Sequence, residues 1–161
     1  MVQKDGVEIG PTDTAASLYF DKLYPLGIEA MVEAVDAVAS GSAKPTPQPG
    51  EGASFQGLVT DEDARVDWSR PAREIDCLVR GCDPQPGAFG LLADGVPVRL
   101  FAGRLRPEAS DAEPGTVVAI EGAKLIVAAA GGVIEVGRVR VGDGKKVAAA
   151  ESSLRPGARL R

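Results

Sequence analysis

Four cations towards the C-terminus are the residues best placed to do chemistry. Arg138 and Arg140 lie two apart in an alternating run, 132–141, so on a strand their side chains share one face. Lys145 and Lys146 follow just past a turn signal, Asp143-Gly144. Guanidinium and ammonium groups gathered in this way can neutralise phosphates. Residues 136–161 carry seven cations against two acids, a net +5, whereas residues 1–55 carry eight acids against three lysines, a net −5. The chain of 161 residues is −5 overall, so the acidic and basic regions are separate surfaces. A solvated strand face accounts for these cations as well as a binding face does.

Other residue types exclude more than they suggest. The chain has no histidine, which rules out Ser-His-Asp and Cys-His catalysis and any histidine base within these residues. No catalytic residue is assigned. Cys77 and Cys82 read as buried thiols of a reducing compartment, and too few partners surround them for zinc, so no metal is expected. Asp61, Glu62 and Asp63 read as a solvated loop rather than a cation site. Gly131-Gly132 fits neither a dinucleotide fingerprint nor a P-loop, so it reads as a turn and no cofactor-binding residue is named. Trp68, beside a helix start, reads as a core anchor. No apolar run approaches the roughly 18 residues of a membrane helix, and no signal peptide is evident. A cytoplasmic protein without a membrane partner is expected.

The elements that must position the cations read as follows. Pro11–Asp13 opens a first helix, 15–23, capped by Thr12 or Asp13, and Pro25 opens a second to about residue 39. Ile28, Met31, Val32, Val35 and Val38 form its apolar stripe. The first helix is a poor partner for that stripe, so residues 1–40 read as the edge of a domain whose body is absent; the alternatives are a self-contained helical hairpin, or one that packs on the C-terminal half or on another copy of the chain. Val2 to Ile9 reads either as a hairpin about Asp5-Gly6 or as the last strand of something larger. Residues 41–55, rich in Pro and Gly, read as a linker.

Residues 67–90 form the hub of the remainder. Ser69 is the expected N-cap, and Ile75, Leu78, Val79 and Cys82 recur at helical spacing. Arg80-Gly81 should close the helix, and Pro84 and Pro86 prevent its continuation. Strands are predicted at 56–66, 88–92, 98–105, 115–121, 124–129 and 132–141. A short Ala-rich helix is predicted at 146–153, then a turn and a last strand at 154–160. Short strands with Gly-rich turns suggest a small barrel over 56–161.

The run from Asp67 to Phe89 carries a resemblance. Asp67-Trp68, the helix end Ile75 to Gly81 and the turn Pro84 to Phe89 resemble the start of the C-terminal domain of the 10-formyltetrahydrofolate-dependent formyltransferases. That family includes methionyl-tRNA formyltransferase and the hydrolase part of formyltetrahydrofolate dehydrogenase. Asp76-Cys77 departs from it, since the family commonly has His and a polar residue there. Residues 13–41 are similar to the closing helices of the family's Rossmann-like N-terminal domain, and the segment from Val139 to Leu160 is similar to the end of its barrel. The resemblance implies an α+β, mainly β fold: an OB-like barrel preceded by a helical remnant. It implies 10-formyltetrahydrofolate as one-carbon donor in the parent family, with tRNA or a small molecule as acceptor. The family's catalytic Asn, His and Asp precede the position matching Met1 and are carried over to no residue, so the chain alone is expected to be inactive. Arg138, Arg140, Lys145 and Lys146 fit a tRNA-holding role, the near-neutral barrel as a whole fits it less well, and a hydrolase-type fragment or a dimerisation module are the alternatives.

Overall fold

The structure, a computed structural model, describes residues 6–47 and 50–161. Residues 2–5 of the expected N-terminal hairpin, and residues 48 and 49 of the expected linker, lie outside that range. The chain divides into two compact units, Met1–Leu58 and Val59–Arg161.

The first unit is helical. Helix α1 (Ala15–Ser17) starts on Thr14, whose hydroxyl accepts from the Ser17 N–H while the Ser17 hydroxyl accepts from the Thr14 N–H. The cap is therefore Thr14 and not Thr12 or Asp13. Asp13 lies just outside, taking the Gly10 N–H and the Ser17 hydroxyl. A π-helical segment, Leu18–Leu23, leads directly into α2 (Tyr24–Ala39). The two predicted helices are thus one continuous run, because Ser17, Leu18, Leu23 and Tyr24 all keep right-handed helical dihedrals. Pro25 explains the wider turn. A proline in an α-helix removes a donor and presses on the carbonyl four residues back. Here the Tyr24 N–H reaches five residues back, to Tyr19, so the helix passes the proline by widening rather than breaking. The run buries none of its residues.

The second unit is a sheet of six strands and one helix. Helix α3 (Ala72–Gly81) buries Ile75, Val79 and Cys82 as the spacing predicts. Its start differs from expectation. Ser69 is held by Asp67, which accepts its N–H and hydroxyl, and Pro71 occupies the cap position without a side-chain bond. The free Ala72 N–H is satisfied instead by the Ala130 carbonyl, a tertiary partner that local sequence does not announce. Cys82, not Gly81, is the C-cap, and Gly81 is the last helical residue.

The strands are β1 (Ala88–Leu91), β2 (Pro97–Arg106), β3 (Val117–Glu121), β4 (Lys124–Ala129), β5 (Gly132–Val141) and β6 (Val147–Ala148). Their order is β1-β2-β5-β4-β3, all antiparallel, with β6 on β5. The two outer strands are joined through the last residues. Leu160 donates to the Gly115 carbonyl ahead of β3, and Arg161 exchanges both backbone bonds with Leu91 of β1. The sheet is thereby closed into a ring, which leaves less free edge.

Two predicted elements are corrected. Residues 56–66 do not form a strand: only Ala64–Val66 run beside β1, bonding to Phe89 on both sides, because β1 shares its four-residue edge with Arg161. Residues 146–153 do not form a helix: Val147 and Ala148 pair with β5, followed by one 3₁₀ turn, Ala149–Glu151. Alanine's helix preference is weak against an available strand partner.

One core fills the ring, with Leu100, Leu125, Val127, Ile134, Val136 and Val139 from the strands, Ile75 and Val79 from α3, and Trp68 and Leu160 at the closure. The buried positions of β5 change parity between Val136 and Val139. Opposite that change, Ala102 of β2 sits at φ 51, a left-handed conformation uncommon for a residue with a Cβ. Its N–H leaves the ladder and donates to Asp83 Oδ2 at 2.7 Å. Gly137 provides the space, since a Cβ there would lie 3.0 Å from that of Ala102.

Candidate functional site

The parity change sets Arg138 and Arg140 on one face of β5, as their spacing predicts. Pairing then adds what spacing does not contain. Arg99 of β2 lies directly opposite Arg140, and Phe101 opposite Arg138, while Phe89 of β1 lies opposite Arg99. On the other flank Ala148 pairs with Arg138 and Val147 with Val139, so one further step along the same register brings Lys146 opposite Arg140. One row across the sheet therefore reads Phe89, Arg99, Arg140, Lys146.

These side chains border a concavity of about 390 Å³, lined by Pro84, Gln85, Pro86, Arg99, Phe101, Arg140 and Lys146. Its floor is a fitted stack. The Arg99 guanidinium lies 5.1 Å from the Phe89 ring centroid, and the Lys146 ammonium 3.4 Å from that of Phe101. The Phe101 ring is wedged against Gly87, at φ +86, where a Cβ would come within 2.6 Å of it.

Each cation has a different task. Arg99 is engaged: Nη1 donates to the Pro86 and Gly87 carbonyls, and Nη2 to Asp61. This holds the Asp61 carboxyl below its usual range, through the hydrogen bond first and the charges of Arg99 and Arg140 after it. Arg138 is exposed and donates to the Lys146 carbonyl, which fixes the lysine's backbone. Arg140 makes no salt bridge among the described residues and faces the concavity. The Lys146 ammonium is held below the usual lysine value, mainly by burial, with Arg138 and Arg140 adding repulsion and Asp83 opposing both. Lys145 is exposed on the turn and does not line the concavity.

Sequence reasoning thus names Arg140 and Lys146 inside the site, Arg138 behind it and Lys145 beside it. It misses Arg99, Phe101 and Gln85. Arg99 and Phe101 carry a signal, the same period-two spacing as Arg138 and Arg140, but the register that joins the two strands is not written in either. The arrangement brings three cations together with no carboxylate on the lining, so it suits an anion.

A second concavity, about 520 Å³, lies by the ring closure and mixes Arg65, Arg159 and Arg161 with Glu62 and Asp67 around Trp68. Arg159 is bonded to Glu113. Trp68 is buried, as expected of a core anchor, and its indole N–H has no partner among the described residues. Asp76, where the sequence departs from the resemblance, is buried and structural: it accepts the Leu105 N–H at 2.9 Å and pairs with Arg80 at 2.9 Å. Among the described residues no three His, Cys, Asp or Glu side chains gather for a metal, and no helix is long and apolar enough to cross a membrane.

Comparison with known proteins agrees on one family. The family described as "Formyl transferase, C-terminal domain" matches residues 58–154. Methionyl-tRNA formyltransferase of Heliobacterium modesticaldum is 36% identical over 157 residues, covering 92% of this chain and 49% of that protein. Methionyl-tRNA formyltransferase of Variovorax paradoxus is 38% identical over 165 residues, covering 99% of this chain and 50% of that protein. The crystal structure of HypX from Aquifex aeolicus in complex with tetrahydrofolic acid superposes with a TM-score of 0.72 at 26% identity, covering 86% of this chain and 24% of HypX. The chain spans about half the length of the curated relatives it matches.

Proposed function

The chain belongs to the formyl transferase family through that family's C-terminal domain, and from this we propose that it is the acceptor-holding part of a 10-formyltetrahydrofolate-dependent formyltransferase whose acceptor is a methionyl-tRNA. The observation that carries the reading is the row of cations on one sheet face, Arg99, Arg140 and Lys146, with Arg138 and Lys145 at its margin. A solvated face would let such side chains spread apart; here two of them are stacked on aromatic rings and converge on one hollow. Contacts of this kind to a nucleic-acid backbone release counterions, so binding falls steeply with salt.

The formyl-transfer step is proposed of the longer protein and not of these residues. The chain contains no histidine, so the Asn, His and Asp set of the family has no counterpart in it. The donor, 10-formyltetrahydrofolate, is given no seat here. Titration of initiator tRNA at low salt tests the reading. Micromolar or tighter binding that weakens with salt is expected, and absence of binding at low salt overturns it.

The helical unit supports a second part of the reading. Ile28, Met31, Val32, Val35 and Val38 are each at least half exposed on α2. Since the chain spans half the length of its relatives, we assign this face to the catalytic body of the longer formyltransferase. Light scattering checks it: a monomer is expected, and a dimer that Val35→Asp dissociates would give the face to a second copy of the chain.

A further inference from the structure

The four sequence-predicted cations are not equivalent in the structure, and the difference defines a smaller site. We infer that the hollow between the Pro84–Pro86 loop and β5 seats a single phosphate ester group, gripped by Arg140 and Lys146, with Arg99 as the positioning residue that holds the loop in place. This rests on the reading of the acceptor as a nucleic acid but goes beyond it, because it replaces a diffuse basic face by one discrete contact.

Three observations converge. First, the hollow is the size of a small-ligand pocket, about 390 Å³ against a usual range of roughly 300–1,000 Å³. Second, its lining is cationic without a carboxylate, and neither nearby acid forms an ion pair with Arg140 or Lys146. Asp61 bonds Arg99 from outside the lining, and Asp83 accepts the turned-out Ala102 N–H. Third, the cations are held before any ligand arrives. Lys146 is fixed through its carbonyl by Arg138 and through its ammonium by the Phe101 ring. Arg99 ties the loop through two carbonyls. Arg140 and Lys146 form no ion pair among the described residues, and the planar Arg140 fork matches two oxygens of a tetrahedral oxyanion, with Lys146 as a point charge on a third. Holding like charges together is unfavourable until an anion enters, and at Lys146 the charges of Arg138 and Arg140 add to the burial that holds the ammonium below its usual value. Gln85, exposed at the rim, can donate its amide to the ester oxygen or the sugar beyond it.

The test uses the full chain, with inorganic phosphate, a short single-stranded RNA and tRNA as separate probes. Side-chain NMR signals of Arg140 and Lys146 are expected to shift on adding phosphate while those of Lys145 do not. Arg140→Gln and Lys146→Gln are each expected to weaken RNA binding about tenfold and to reduce its salt slope by about one. Lys145→Gln, outside the hollow, should change affinity less than threefold. Arg99→Lys keeps the charge but loses the fork, so phosphate affinity should fall while the salt slope for tRNA stays. Equal losses from Lys145→Gln and Arg140→Gln would mean a diffuse field and overturn the seat. So would binding that survives the Arg140→Gln, Lys146→Gln double change with its slope intact. A chain that responds to phosphate through Arg140 but binds neither RNA supports the seat and overturns the nucleic-acid reading instead.

Discussion

The two units of this chain solve the burial problem in opposite ways. In the unit beginning at Val59, Trp68, Ile75, Leu100, Leu125, Ile134 and Leu160 are all nearly excluded from water. In the helical unit, Tyr19, Phe20, Leu23, Tyr24, Ile28, Met31, Val32, Val35 and Val38 all remain exposed. The first kind of order rests on pairings between residues far apart in sequence. The second rests on hydrogen bonds within one run and a cap. Most helical stability in proteins comes from packing an amphipathic face, and here that face is exposed. The barrel unit buries a core of its own, whereas the helical unit leaves its apolar stripe exposed.

Separating the units is the strongest way to break that contrast. A chain comprising residues 59–161 is expected to unfold cooperatively at the same temperature as the full chain, by circular dichroism. A peptide of residues 6–47 is expected to lose most of its helicity. A well-folded peptide, or a barrel that collapses without the helix, would refute the asymmetry. Next in size is a pair of truncations. Trp68→Ala should lower stability in urea by about 3–5 kcal/mol, the usual loss for a buried aromatic. Val35→Ala should stay within about 0.5 kcal/mol. A matching loss at Val35 would mean its face is covered.

Asp76→Ala sharpens the barrel side. It removes the acceptor of the Leu105 N–H and the carboxylate that pairs with Arg80, which should cost about 1–3 kcal/mol. No change in the urea midpoint would show that the pair is incidental. The smallest effect is expected from acid. The Asp13 carboxyl is lowered from 3.8 to about 2, by Lys22 first and then by the Gly10 N–H and Ser17. Its contribution to the helical cap is therefore fully present above pH 3.8 and is lost as pH falls through about 2. Helical signal from the first unit should decline across that window, and Asp13→Asn should abolish the dependence. A decline centred well above pH 4 would place the cause elsewhere.

Local patterns were legible wherever one residue decides. Gly131 takes positive φ at the Gly131-Gly132 turn that the sequence marks, while beside the Asp143-Gly144 signal it is Gly142 that does so. The bounds 124–129 and 132–141 coincide with β4 and β5. The stripe of α3 was readable because helical spacing is internal to the segment. Misreadings came where a distant partner decides. Residues 147 and 148 became a strand because β5 offered an edge. The α3 start is satisfied by Ala130, so Ser69 was not needed as its cap. In the site, Arg138 and Arg140 were visible by period, whereas Arg99 required the β2–β5 register. The parity break from Val136 to Val139 is written in the sequence, but its cause, Ala102 opposite Gly137, lies on another strand.

The ring closure has a consequence for the order of events during synthesis. Leu91 meets its partner, Arg161, only after every other strand has been made, and Gly115 waits likewise for Leu160. A growing chain can form the β3–β4 and β4–β5 hairpins early, as local events. The ring itself must stay open, with the outer edges of β3 and of the Leu91 end of β1 unpaired, until the closing segment has left the ribosome. Such late, distant pairings slow folding. The interval before that segment emerges is therefore when this domain is most exposed to pairing with a neighbour.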